Sequence, residues 1–248
     1  MSYSERYTRK AAVSAAFLVL FLSLVTAANA TVSVSPVRVH LSDQDDRAVV
    51  RVANQGDASQ SYQVEVVSWS QNDREREVYS PTDSVLAVPP LFTLQPGEEQ
   101  LVRIGMLEPA NANNESSYRM FITEIESQDA EKEVSSGISM RVRIGVPVFV
   151  APASAKATAS LEFVDLENIE GSAYPRLRNS GNVHVKVLEV RYRADANADW
   201  VANQSSFYLL AGQTGLLPFA LPQGQATGSL MIRTENHGSM NYELQGAR

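Results

Sequence analysis

The sequence of 248 residues contains no cysteine and only two tryptophans. Without cysteine the chain has no disulfide bond, no thiol nucleophile and no cysteine ligand for a metal. Each domain must therefore be stabilised by a hydrophobic core, which a domain of about 100 residues can supply. Beyond the first thirty residues, no apolar run is long enough to suggest a membrane span or membrane insertion.

Basic residues are in the minority, because 21 lysines and arginines stand against 28 acidic residues, a formal net charge of −7. Nucleic-acid binding requires basic surface, so this composition argues against a nucleic-acid partner. The histidines, His40, His184 and His237, are scattered without a second ligand at metal spacing. No phosphate-binding glycine loop or nucleophile elbow occurs. The sequence therefore predicts a binding protein with no enzymatic activity, cofactor or metal.

The first thirty residues have the pattern of an export signal. Basic residues precede the apolar run 11–25, and a small-x-small site follows at Ala28 to Ala30. A basic start, a short apolar middle and small residues before the cleavage point are typical of a secretory signal peptide. We therefore predict a signal peptide over residues 1–30, cleaved before Thr31, and a location in a bacterial periplasm or outside the cell.

Short segments with alternating apolar and polar residues recur from Thr31 onward, separated by turn signals. This period of two is the pattern of half-buried β-strands, and no segment has helical periodicity. The predicted strands cover residues 32–41, 48–53, 61–69, 85–88, 91–94, 100–106, 118–125 and 138–149, then 160–166, 173–177, 183–192, 207–210, 215–221, 229–234 and 241–244.

A stretch rich in alanine and proline after residue 149 predicts a boundary between two domains, residues 31–152 and 153–248. Each domain has about seven short strands joined by closely spaced turns, which is typical of an immunoglobulin-like sandwich. The predicted fold is therefore all-β, with two immunoglobulin-like β-sandwich domains in tandem.

The last strand of the first domain alternates very regularly. Ile138, Met140, Val142 and Ile144 form an apolar face, and polar or cationic residues lie between them. Such a strand either fills the core of its own sandwich or lies at a sheet edge, where its backbone can pair with another chain. The residues alone favour the first of these interpretations.

Several stretches, taken in order, resemble the periplasmic chaperones of pilus assembly by the chaperone–usher route. The resemblance implies two domains in a boomerang-like arrangement with a cleft between them, and it covers nearly the whole chain after the leader. The run at residues 118–125 and the short loop after it are similar to the archaic class, which includes spore-coat-type fimbriae. The similar stretches are residues 34–39, 87–98, 101–104, 118–125, 138–152, 178–182 and 209–214.

That family resemblance implies a function as well as a fold. A pilus subunit (pilin) lacks the last strand of its own sandwich, and the chaperone lends an edge strand to fill the gap until an outer-membrane usher receives the subunit. This donor-strand complementation is a form of β-augmentation. The donor side chains implied here are Ile138, Met140, Val142 and Ile144.

The resemblance also implies a basic pair in the cleft that binds the C-terminal carboxylate of the subunit. Arg38 matches the first member of this pair, and a guanidinium group suits a bidentate carboxylate contact. The second member matches Pro147, which cannot serve. Arg119, Arg141 and Arg143 are the candidates that could replace it.

Glu124 matches a family carboxylate that helps to fix the angle between the domains. Its expected partner positions are occupied by Ala151 and Asn236, neither of which can form a salt bridge. The resemblance therefore implies an interdomain role for Glu124, but the residues at the partner positions argue against an interdomain salt bridge.

A tandem immunoglobulin-like adhesin or carbohydrate-binding surface module is the alternative function. Clusters of exposed tryptophan and tyrosine would favour it. Trp69 and Trp200 instead lie in or beside predicted strands, where core packing is expected. A periplasmic hydrolase is a third class, and no catalytic constellation in the sequence supports it.

Overall fold

The computed structural model describes residues 32–72, 77–125, 141–204, 206–222 and 227–244. Within these ranges the chain forms strands and no helix, so they contain no helical segment that could cross a bilayer. The first ten strands are β1 (Val32–Ser35), β2 (Val39–Leu41), β3 (Arg47–Asn54), β4 (Gln60–Ser70), β5 (Val78–Pro81), β6 (Val85–Val88), β7 (Leu91–Leu94), β8 (Glu99–Met106), β9 (Ser116–Ile125) and β10 (Arg143–Val150). The others are β11 (Leu161–Ile169), β12 (Ser172–Asn179), β13 (Val185–Arg193), β14 (Val201–Asn203), β15 (Phe207–Leu209), β16 (Thr214–Leu216), β17 (Gly228–Thr234) and β18 (Ser239–Leu244).

Strands β1–β10 form a first sandwich of two sheets. One sheet has the order β1-β3-β8-β6, and the other has the order β2-β10-β9-β4-β5, with β7 also paired to β4. Alternate residues of both sheets, among them Val50, Ile104, Met120 and Ile122, are buried between them as one core. Two sheets packed over such a core are the architecture of an immunoglobulin-like domain.

The strand predicted over residues 32–41 is divided in the structure. Pro36 has no backbone N–H group for the ladder, and the run is interrupted there. β1 therefore pairs with β3 in one sheet, whereas β2 crosses to the other sheet and pairs with β10 in parallel. The division leaves Arg38 in the bend immediately before β2.

Strands β11–β18 form a second sandwich with its own core. Its sheets have the orders β11-β12-β16 and β14-β13-β17-β18, and β15 pairs with β13. The predicted all-β fold with two tandem immunoglobulin-like sandwiches is confirmed. The domain limits 31–152 and 153–248 stay a prediction, with β10 ending at Val150 and β11 beginning at Leu161.

Three further elements, β5, β14 and β16, differ from the strands that the sequence predicts. β5 and β14 were not predicted, because their short sequences do not alternate regularly between apolar and polar residues. The strand predicted at residues 215–221 is shorter, since β16 ends at Leu216 and Pro218 cannot donate to a ladder. Leu217 and Leu221 are nevertheless buried in the core of the second sandwich.

A buried cluster joins the two sandwiches. Trp69 and Phe149 of the first sandwich pack against Leu210 of the second. The Gln71 side chain accepts a hydrogen bond from the Leu210 N–H group and donates one to the Tyr208 carbonyl oxygen, both at 2.9 Å. The contact between the sandwiches is therefore apolar at its centre and hydrogen-bonded beside it.

A histidine extends this contact. The His184 ring stacks on Phe149 with 3.6 Å between ring centroids, and its Nδ1 atom lies 2.8 Å from Oε1 of Glu115. Glu115 also accepts a hydrogen bond from the His184 backbone N–H group at 3.0 Å. Stacking and hydrogen bonds thus fix the start of β13 against the first sandwich.

Candidate functional site

One side of β10 is the first component of the candidate site. β10 pairs with β9 along its whole length but with β2 only over the three residues from Val148 to Val150. Among the described residues, no strand covers the other five residues, Arg143 to Pro147, on the β2 side. We refer to this uncovered side of β10, from Arg143 to Pro147, as the open edge.

The hydrogen-bonding pattern shows which backbone groups the open edge presents. The Glu124 N–H group donates to the Val142 carbonyl oxygen at 2.9 Å, so Val142 directs its backbone groups toward β9. Because these directions alternate along a strand, Arg143, Gly145 and Pro147 direct theirs away from β9. Arg143 and Gly145 thus offer an N–H and a carbonyl group, and Pro147 offers a carbonyl group alone.

The inner face of the same strand is apolar. Val146 and Val148 are buried in the core of the first sandwich, and Val142 and Ile144 are half-buried against it. Val142 and Ile144 are therefore on the apolar face that the sequence predicts. Ile138 and Met140, the other two predicted donor residues, lie outside the described residues.

The outer face of the sheet holds two of the predicted candidates for the second basic anchor. The Arg119 guanidinium group lies 3.9 Å from the centroid of the Trp69 ring and donates to Oε1 of Glu77 at 3.0 Å. The Arg143 guanidinium group lies 3.6 Å from the centroid of the Phe121 ring. Both cations are therefore engaged by groups of the first sandwich. Arg141, the third candidate, is exposed.

Arg38 lies where the open edge meets β2. Val39 is opposite Val148 in the parallel pairing, and continuing this register places Arg38 alongside Pro147. Nη1 of Arg38 donates to Oε2 of Glu235 at 2.5 Å. Arg38 belongs to the first sandwich and Glu235 to the second, so this ion pair connects them.

Glu235 holds a second cation. Nζ of Lys186 lies 3.2 Å from Oε1 of Glu235, and 5.7 Å from the centroid of the Tyr208 ring. The side chains of Arg38, Lys186 and Glu235 are 23%, 25% and 27% exposed. One carboxylate is thus bound by two partly buried cations from different sandwiches.

The electrostatics of this cluster favour the charged forms. The hydrogen bond from Arg38, with a smaller contribution from Lys186, lowers the pKa of Glu235 to about 2. The same hydrogen bond raises the pKa of Arg38, and Tyr208 contributes in the same direction. The position between Arg38 and Lys186 is therefore selective for an ionised carboxylate.

Glu124 lies within the first sandwich, beside the start of the open edge. Its Oε2 atom accepts a hydrogen bond from the Val142 backbone N–H group at 3.3 Å. The ion pair that connects the sandwiches here is Arg38–Glu235. The interdomain role of Glu124 stays a prediction.

The sequence does not point to Lys186 and Glu235, the two residues that the structure brings together with Arg38. They lie in β13 and in the turn after β17, and only the packing of the two sandwiches brings them to Arg38. No local pattern marks either residue. An inspection of basic residues in the second domain would not have singled out Lys186, since residues 153–248 contain six arginines and two lysines.

The histidines do not form a metal site in the described part of the chain. His40 and His184, which are far apart in the sequence, have ring centroids 6.1 Å apart. Burial lowers the pKa of His40, and the positive charge of Arg38 adds to this effect. Across the described ranges, no three histidine, aspartate or glutamate residues are grouped in a way that could bind a metal ion.

Solved structures share this fold. A chain of the CsuC–CsuE chaperone–tip adhesion subunit pre-assembly complex, from the archaic chaperone–usher Csu pili of Acinetobacter baumannii, is similar with a TM-score of 0.67 and 18% identity over 88% of this chain and 100% of that chain. The class 5 fimbriae chaperone CfaA gives a TM-score of 0.56 and 12% identity, over 87% of this chain and 100% of that chain. The Pseudomonas aeruginosa chaperone CupB2 gives 0.54 and 15%, over 86% and 99%.

A comparison with curated proteins finds no match. Residues 31–156, about half of the chain, match the family described as pili and flagellar-assembly chaperone, PapD N-terminal domain. The matched segment contains the whole first sandwich, with the open edge and Arg38. The chain therefore belongs to the pilus and flagellar-assembly chaperone family.

Proposed function

We propose that this chain is a periplasmic chaperone that binds pilus subunits by donor-strand complementation and delivers them to an outer-membrane usher. The observation that carries the proposal is the open edge of β10, which ends beside Arg38. Exposed backbone donors and acceptors along an apolar strand suit the addition of another strand. Family membership supports the general assembly role, and no enzymatic function is proposed.

The position of Arg38 supports one direction for a bound subunit strand. With its C-terminal carboxylate at Arg38, a strand on the open edge has its carboxyl end beside Pro147. It therefore runs in the same direction as β10, as β2 does. In this arrangement Arg143 and Gly145 donate and accept ladder hydrogen bonds, and Arg38 anchors the terminus.

The proposed donor residues Val142 and Ile144 contribute less than fully exposed side chains would. Complete burial of such a side chain is worth roughly 1.5–3 kcal/mol. Both side chains are already half-buried against the core of the first sandwich. Binding of a subunit therefore gains only the free energy of burying the part of each side chain that is still exposed. Association itself costs roughly 4–15 kcal/mol. Ladder hydrogen bonds and the carboxylate anchor must therefore supply the remaining free energy of binding. Ile138 and Met140 complete the proposed donor set.

Co-expression in a bacterial periplasm with the secreted proteins encoded beside this chain tests the proposal. We expect a one-to-one complex with a small subunit that is degraded when it is expressed alone. Val142→Asp should abolish the complex, because it places a charge on the apolar donor face. Arg38→Ala should abolish it as well, because loss of one partner of a desolvated charge pair costs roughly 2–5 kcal/mol. Val164→Asp, at a side chain 46% exposed in the second sandwich, is the matched control and should keep the complex.

Retention of the subunit by both variants, with thermal unfolding like that of the parent chain, would contradict the donor-strand assignment. A monomeric chain that co-purifies with no subunit but binds a glycan would support the adhesin alternative.

The same purified protein tests the proposed export to the periplasm. We expect the exported chain to begin at Thr31, after removal of residues 1–30, and an intact first residue on the purified protein would contradict the signal peptide.

A further inference from the structure

The cluster of Arg38, Lys186 and Glu235 has the composition of an occupied carboxylate site. Two cations converge on one carboxylate, with nitrogen–oxygen distances of 2.5 Å to Arg38 and 3.2 Å to Lys186. Charge-assisted bonds of this kind are the strongest hydrogen bonds that a protein offers to a carboxylate. The cluster lies beside Pro147, at the end of the open edge, where the terminus of an added strand would arrive.

On the basis of the function proposed above, we propose that Lys186 is the second cation that binds the C-terminal carboxylate of a subunit, and that Glu235 occupies this site in the free chain. Lys186 thus fills the role that Pro147 leaves vacant, from the second sandwich instead of the donor strand. Glu235 is an internal competitor, which the incoming terminus displaces.

The position of Glu235 makes the exchange feasible. It lies in the turn between β17 and β18, and its backbone N–H group donates to the Lys186 carbonyl oxygen at 2.9 Å. This bond holds the main chain in place, while the side chain is 27% exposed and can rotate toward solvent. One carboxylate then replaces another between the same two cations, so the charge of the cluster is unchanged.

Lys186 differs from Arg119 and Arg143 in what surrounds it. Arg119 is bound by Glu77 and the Trp69 ring, and Arg143 lies over the Phe121 ring. Lys186, in contrast, shares the carboxylate of Glu235 with Arg38. A carboxylate already held by Arg38 is therefore within reach of Lys186 without any rearrangement of the backbone.

Binding of a short synthetic peptide tests the inference. The peptide alternates valine and threonine and carries either a free C-terminal carboxylate or a C-terminal amide, and its dissociation constants are measured by calorimetry. The parent chain should bind the acid more tightly than the amide. Glu235→Gln should tighten binding of the acid roughly tenfold, the size of one charge-assisted hydrogen bond, and leave binding of the amide unchanged.

Lys186→Met keeps the aliphatic stem and is introduced into the Glu235→Gln chain, where no internal carboxylate competes for the lysine. The double variant should bind the acid roughly tenfold more weakly than Glu235→Gln alone, again without effect on the amide. Lys156→Met and Glu99→Gln remove the same charges at exposed positions and serve as matched controls. Thermal unfolding of each variant checks that the sandwiches remain folded.

Two other results would overturn the inference in distinguishable ways. If both peptides bind but the acid-to-amide ratio is the same in the parent, the Glu235→Gln chain and the double variant, the cluster is a structural ion pair and the open edge still accepts a strand. If neither peptide binds any of these folded chains, strand addition at the open edge fails, and the assignment of the carboxylate site fails with it.

Discussion

Asn179 illustrates how single side chains hold this disulfide-free chain in shape. It is fully buried at the end of β12, and its Nδ2 atom donates to the carbonyl oxygens of Val183, Leu209 and Leu210 at 2.8–3.1 Å. Its Oδ1 atom accepts from the Gly181 N–H group at 3.0 Å. Asn54 makes the same kind of turn in the first sandwich. One amide therefore ties three backbone segments together.

Asn179→Ala should lower the free energy of unfolding of the second sandwich by about 2–4 kcal/mol, because it leaves buried carbonyl groups without a donor. Chemical denaturation followed by fluorescence measures the change. Asn197→Ala, at an exposed turn position, is the control and should alter the value by less than about 0.5 kcal/mol. Equal effects of the two substitutions would contradict this role of Asn179.

The ionisation of Glu235 should make stability depend on pH. Its pKa is about 2 in the folded chain, below its ordinary value of 4.5. The unfolded chain therefore binds the proton more readily, and the stabilisation is complete above about pH 4.5 and is lost as the pH falls toward 2. Arg38, whose pKa is raised by the hydrogen bond to Glu235, stays charged throughout this range.

Unfolding free energies measured between pH 6 and pH 2 check this expectation. The parent chain should lose about 1–3 kcal/mol more than Glu235→Gln across the window, the range that a partly exposed group with this shift allows. Glu99→Gln removes a carboxylate from an exposed pair with Arg51, and its pH dependence should match that of the parent. If the unfolding free energies of the parent and of Glu235→Gln change equally with pH, Glu235 is not the group responsible for the pH dependence.

At the scale of elements, the two sides of β10 differ in pairing: one side pairs with β9, and the other is the open edge. Ile144 and Val146 direct their backbone groups toward β9, as does Val142 immediately before the strand. Arg143 and Gly145 direct theirs toward the open edge. Proline lacks the backbone N–H group and is tolerated in a strand only where no partner needs that donor. The two sides of β10 can therefore be tested separately with proline.

Arg143→Pro should leave the thermal unfolding of the chain close to that of Arg143→Ala, because the missing N–H group belongs to the open edge. It should weaken the subunit complex, measured by co-purification, by at least the roughly fivefold effect of one backbone hydrogen bond. Ile144→Pro removes a donor that pairs with β9, and should destabilise the fold by about 3 kcal/mol. Unfolding of both proline variants to the same degree would show that no side of β10 is free.

The elements also show what the sequence could predict. Period-two alternation is a local property, so the strands and the apolar face of Val142 and Ile144 could be predicted from it. The division of the first strand at Pro36 could have been inferred from the missing N–H group, but the change of sheet could not. Arg38 was identified by resemblance. Lys186 and Glu235 could not be predicted, because only tertiary packing places them beside Arg38.

At the scale of the whole molecule, the two sandwiches are coupled by a contact that is aromatic at its centre. Phe149 is 1% exposed, stacks on His184 and packs against Trp69 and Leu210. The ion pair between Arg38 and Glu235 connects the sandwiches as well. The relative position of the sandwiches thus depends on residues of both, including two that belong to the proposed carboxylate site.

Phe149→Ala should uncouple the two sandwiches. Calorimetry of the parent chain should give one unfolding transition, whereas the variant should give two, with the first sandwich destabilised by about 3–5 kcal/mol through loss of a buried aromatic ring. Phe92→Ala is the control, because Phe92 packs on the core of the first sandwich alone. It should lower the stability of that sandwich and keep its unfolding coupled to that of the second.

The parallel pairing of β2 with β10 limits how far an added strand can extend along β10. β2 occupies the edge of β10 from Val148 onward, so a strand that is added along the open edge can advance only as far as Pro147. A shift of one residue would turn every side chain to the opposite face. Under the proposed strand addition, β2 would therefore fix the register of the added strand. The distance from the last apolar side chain of a subunit to its C-terminus would then decide whether that subunit fits.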